Sequence, residues 1–89
     1  MFLFGCKGDI MNKKIEIQIG QNIKYAREKI KMTQDVLAAK LQLNGCDITR
    51  SAIAKIEVGQ RHLYPDEIIL IKEILNTDFD TIFYGNKKS

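Results

Sequence analysis

The sequence predicts an all-α fold in which five short helices close on one compact core. Three observations predict it. Apolar residues recur three and four positions apart through most of the chain, which is the spacing of a helix face. Residue types that open helices stand ahead of those runs: Thr33, Thr49 and Asp78 as caps, and Pro65 at a first helical position. Only one stretch, residues 13–19, alternates apolar with polar side chains, so a strand there has no second strand to pair with.

Length and composition bound the function. A chain of 89 residues makes one small domain, which buries only about 60 % of its unfolded surface. The net charge of +3 is a mild basic bias, so the placement of the charges has to decide whether nucleic acid is a partner. Cys6 and Cys46 form no CxxC pair and His62 is the single histidine, so no zinc-ligand pattern exists and no metal is expected. Two thiols in a lysine-rich helical chain suit a reducing, cytoplasmic setting. No carboxylate pair framed by a pocket-forming fold and no glycine-rich phosphate loop is present, so a non-enzyme without a cofactor is expected. No apolar run reaches membrane length.

The first ten residues, M-F-L-F-G-C-K-G-D-I, lack the basic start and long apolar run of a secretion signal. Lys7 to Met11 can be encoded by a bacterial ribosome-binding sequence spaced before a start codon, so Met11 is expected to be the physiological start. The alternating residues 13–19 are expected as an extended arm, with Lys13 and Lys14 in reach of a phosphate backbone. The division that follows is a leader and arm over 1–18, a helical domain over 19–84 and a basic tail over 85–89.

The first helix is expected over residues 20–30, where Ile23, Ala26 and Ile30 mark one face. Thr33 opens the second, with Gln34 and Asp35 in its first turn and Val36, Leu37 and Leu41 as its apolar stripe. Gly45 is expected to stop it after Leu43, and Cys46 in the following loop reads as a packing thiol. Thr49 caps a third helix of eight or nine residues, with Ile48 and Ile53 placed as a hydrophobic staple and Gly59 permitting its exit. Pro65, Asp66 and Glu67 open a fourth, whose Ile68, Ile69, Leu70, Ile71, Ile74 and Leu75 make it the most apolar and the expected centre of the fold. Asp78 caps a short fifth helix with Phe79, Ile82 and Phe83.

The third helix organises the rest. It is too short to stand alone and must be held by neighbours. Ile53 and Ile56 face inward, while Arg50, Ser51, Ala52 and Lys55 fall on the leading outer edge. A firmly held short helix with small polar and basic side chains at its N-terminal end suits a DNA major groove.

Between Gly20 and Phe83 the chain resembles the lambda-repressor/Cro-type, or XRE-like, helix-turn-helix family. The resemblance rests on Arg27 in helix one, T-Q-x-x-L-A from Thr33 to Ala38, I-x-K-I-E-x-G ending at Glu57 and Gly59, and L-I-K-E-I-L before Phe83. It implies a sequence-specific transcriptional regulator of the repressor kind that binds double-stranded DNA as a homodimer, with a recognition helix over 49–57. Carried over by position, Arg50, Ser51, Ala52 and Lys55 are the base-contacting candidates. Thr33, Gln34, Lys40 and Arg61 are the phosphate-contacting candidates, and Arg27 with Glu57 forms a structural ion pair. Phe79, Phe83 and Tyr84 are the dimer candidates. One departure stands out: from Ala38 to Ile53 the chain is five residues longer than the common pattern, and Gln42 replaces the glycine usual in the turn. Two alternatives share the fold, an antitoxin with an unidentified protein partner and a protein-interaction domain that has lost DNA binding.

Overall fold

The computed structural model describes residues 9–85, with side chains from Lys13 onward. The leader read over 1–10 and the tail after Gly85 lie outside the described residues, apart from the backbone of Asp9 and Ile10. Five helices follow in order: α1 Asp9–Lys29, α2 Gln34–Leu43, α3 Arg50–Glu57, α4 Pro65–Leu75 and α5 Phe79–Tyr84. No strand occurs among the described residues.

The extended arm expected over 13–19 is instead the first half of α1. Its alternating isoleucines misled because the buried stripe of this helix is partly polar: Glu16, Ile19, Gly20, Ile23, Ala26 and Arg27 lie three and four apart and are buried or half-buried. Ile15, one of the alternating set, is exposed. A helix also satisfies its own backbone groups, which a lone strand cannot do. At the other end Ile30, expected in the core, is exposed. The chain leaves α1 through Lys31 at φ 59°, and the Met32 N–H returns to the Arg27 carbonyl at 3.0 Å.

The centre of the fold is α1 rather than α4, because α1 packs on both α3 and α5 whereas α4 packs mainly on α2. Two features of α1 explain how it gets so close. Gly20 lies against the end of α3, where an added Cβ would stand 2.2 Å from the Ile56 carbonyl oxygen. Asn22 is buried and donates to the Ile82 carbonyl of α5 at 2.8 Å, while Gln18 donates to the Asn22 oxygen at 2.9 Å. Ile23, Leu37, Leu41, Ile48, Ile53, Ile71, Leu75 and Ile82 form the fully buried core. Each such side chain contributes about 1.5–3 kcal/mol of burial free energy, an upper figure because the unfolded chain already hides some surface.

The caps hold as the sequence leads one to expect. Thr33, Thr49 and Asp78 accept from the N–H groups of Val36, Ala52 and Thr81 at 3.1, 3.1 and 2.8 Å. The lengthened turn is built by running α2 through Leu43 and then reversing at Gly45, whose φ of 83° is favourable only for glycine. Cys46 and Ile48 are buried beneath it, and the Gln42 amide donates to the Ile48 carbonyl at 2.9 Å. The residue that replaces the usual glycine thus ties the longer loop shut.

Candidate nucleic-acid interface

The interface is assembled where the N-termini of α2 and α3 meet the C-terminal end of α1. Ile53, Ile56 and Glu57 bury one side of α3 completely. The opposite side exposes Arg50, Ser51 and Lys55. Ala52 departs from the expected outer edge: it is half-buried and packs against the core. Ala54, one turn after Arg50, is half-buried, and Val58 beyond it is exposed.

Beneath this face, the Arg27 guanidinium meets the Glu57 carboxylate through two bonds, Nε to Oε2 at 2.7 Å and Nη2 to Oε1 at 3.0 Å. Its Nη1 donates to the Met32 carbonyl at 2.7 Å. The hydrogen bond that Arg27 donates to the Glu57 carboxylate raises the Arg27 pKa further above its already high value, outweighing the cost of burial. Gln34, expected at a phosphate, directs its amide Nε2 to Glu57 Oε1 at 3.0 Å. It is half-buried, so the amide belongs first to this network and only its remaining edge faces outward.

Arg50 and Asp35 face one another across the two helix starts, Nε to Oδ1 at 3.5 Å, with both side chains exposed. Together with Arg27, Glu28, Lys31, Met32, Thr33 and Gln34 they line an open groove of about 540 Å³. Thr33 lies exposed at its rim and Lys40 is exposed further along α2. From the sequence, Asp35 reads only as a helix-dipole residue. Its apposition to Arg50 depends on how the longer turn places α3, which no sequence spacing reveals.

Two cations expected at the phosphate backbone are engaged within the fold. Arg61 forms a forked pair with Glu67, Nη1 to Oε1 at 3.0 Å and Nη2 to Oε2 at 3.2 Å, and also donates to the His62 carbonyl. Lys13 donates to the Gly59 carbonyl at 2.7 Å, closing the C-terminal end of α3. Burial by itself would raise the Glu67 pKa, but the hydrogen bonds from Arg61 and the Tyr64 N–H, with the Arg61 charge, hold it below the ordinary carboxylate value. Burial, reinforced by Glu67 and Asp66, pushes the Cys46 thiol up, which keeps it protonated and suits its packing role. His62 contacts Glu16 through Nδ1 at the far end of α1.

A family profile described as helix-turn-helix matches residues 23–82, from the middle of α1 to α5. The chain belongs to the lambda-repressor-like helix-turn-helix family. Membership implies a DNA-binding transcription regulator whose partner is double-stranded DNA. Searches of characterised proteins and of solved structures returned no match to the chain. In this helix-turn-helix protein the match begins at Ile23, so Lys13, Glu16, Ile17 and Gly20, which brace the exit of α3, lie ahead of the matched region. Among the described residues no helix is long and apolar enough to cross a membrane.

Proposed function

We propose that the protein is a sequence-specific DNA-binding regulator, a cytoplasmic repressor of the phage or mobile-element kind, whose α3 reads the major groove. The observation that carries this reading is the two-sidedness of α3. An eight-residue helix is held by a fully buried inner face and presents Arg50, Ser51 and Lys55 on the outer one, led by an arginine at its first position. Arginine there supplies a planar fork for guanine O6 and N7, serine a short donor and acceptor, and lysine a point charge. Thr33 and Gln34 flank it as phosphate contacts at a helix start whose N–H groups favour anions, and Lys40 adds a cation from the last turn of α2. Arg61 drops out of that set because Glu67 holds its fork. Repression is the sign of regulation favoured by the family resemblance.

One such helix reads only a few base pairs, so specificity calls for a homodimer on half-sites about 34–36 Å apart. Phe79, Phe83 and Tyr84 are exposed, the first two stacked at 6.1 Å, and supply an apolar surface for it. Selection of bound duplexes from a random pool tests the whole reading. A palindromic consensus protected by two chains is expected. Each phosphate that a lysine such as Lys40 neutralises steepens the fall of log K against log salt by about 0.9 per chain. Recovery of no consensus, with a flat salt dependence, overturns the proposal.

A further inference from the structure

We infer that Asp35 is a positioning residue for Arg50, and that it raises sequence discrimination by steadying the reading arginine and competing with phosphate for it. The inference rests on the DNA-reading role proposed for α3. Arg50 is the first residue of its helix and exposed, so nothing in the core fixes its long side chain. Asp35 lies in the first turn of the neighbouring helix and meets the guanidinium at Nε, 3.5 Å away. An arginine offers its Nε and its terminal Nη pair along different edges of one planar group. Contact at Nε therefore leaves an Nη edge open, and guanine can be bound without releasing Asp35.

Three other polar groups beside Arg50 have partners of their own, and the further charge in the groove, Lys31, is a cation that cannot hold a guanidinium. Thr33 caps α2, the Gln34 amide donates to Glu57, and Glu28 lies 3.8 Å from Arg27. Asp35 is thus the carboxylate that sets the local field at the arginine. On a mismatched duplex Arg50 has two choices, a phosphate or Asp35, and the carboxylate competes with the phosphate. That competition weakens non-specific binding, whereas binding to a guanine in register keeps the Asp35 contact. Discrimination widens as a result.

The test compares wild type, D35N, R50A and the double variant on a duplex selected from a random pool and on a scrambled duplex of equal length. D35N is expected to bind the scrambled duplex about two- to five-fold tighter without gaining on the selected one, the range of an exposed ion pair. Its salt slope on scrambled DNA should steepen by about 0.9 as Arg50 turns to a phosphate. In the R50A background the same substitution should leave the ratio of the two affinities unchanged, and the unfolding midpoint of D35N should match wild type because both partners are exposed. An unchanged ratio in D35N, or an equal change with Arg50 already removed, overturns the role of Asp35 and leaves the DNA reading standing. Wild type that binds neither duplex overturns both.

Discussion

The carboxylate of Glu57 receives the Nε and Nη2 hydrogens of Arg27 at 2.7 and 3.0 Å, and so fastens the last residue of α3 to the last turn of the longest helix with both side chains nearly excluded from water. A buried pair of this kind adds little net stability over apolar residues of the same shape, but either partner alone is a stranded charge. Glu57→Ala is therefore expected to cost about 3–5 kcal/mol in urea unfolding. Arg27→Met combined with Glu57→Met should recover part of that loss. A double variant no more stable than Glu57→Ala would mean the pair holds α3 by geometry that apolar packing cannot replace.

Glu67 predicts the acid limb of stability. Its folded pKa is below the ordinary value of 4.5, so on acidification the unfolded chain binds a proton first. The stability it contributes is present above that value and is lost as pH falls through the folded pKa. Glu67→Gln should flatten this part of a stability-against-pH curve measured by denaturant titration. Glu67→Ala should in addition cost about 1–2 kcal/mol near neutrality by removing the acceptor for Arg61 and for the Tyr64 N–H that opens α4. A wild-type curve that does not fall on acidification would contradict the ion pair.

Much of this architecture was legible because it is local. Thr33, Thr49 and Asp78 cap helices by contacts three residues away, and the spacing of Leu37, Leu41, Ile53, Ile56, Ile71 and Leu75 declares the core faces directly. What escaped was non-local. The first half of α1 is held by a glycine against backbone, by Lys13 on the Gly59 carbonyl and by Ile17 beside Gly59, none of which leaves an apolar period in the sequence. At the site, Arg50, Ser51 and Lys55 lie on the outer face because helix geometry alone places them there. Gln34, Arg61 and Asp35 could not be assigned that way. Each is polar and stands at a helix start or in a loop, and its partner, Glu57, Glu67 or Arg50, comes from another element or from across a turn.

Gly20 sets how closely α1 crosses the end of α3. A Cβ there would lie 2.2 Å from the Ile56 oxygen and 2.8 Å from that of Glu57, both backbone atoms that cannot swing aside. Gly20→Ala is expected to destabilise by about 1–3 kcal/mol or more, despite the higher helix propensity of alanine. Thermal unfolding measures it. A variant as stable as wild type would show that the two helices separate easily and that the bracing of α3 by α1 is loose.

The last prediction separates the reading residue from the supporting one. Arg50 projects from the first position of α3, exposed and with a terminal edge open, whereas Gln34 is half-buried with its amide on the Glu57 carboxylate. Arg50→Ala is therefore expected to cost about 1–3 kcal/mol on the preferred duplex and to relax preference at one base pair in each half-site, with no change in folding stability. Gln34→Ala acts through the network beneath the helix: it removes a hydrogen bond to a buried carboxylate, costing about 1.5–3 kcal/mol of stability, and weakens all duplexes alike. Affinities on a panel of single-base variants, read beside urea unfolding of the same proteins, distinguish the two. If Arg50→Ala lowers affinity evenly across the panel, Arg50 is a phosphate contact. The lengthened turn between α2 and α3 has then rotated the helix so that Ser51 and Lys55 lead the reading.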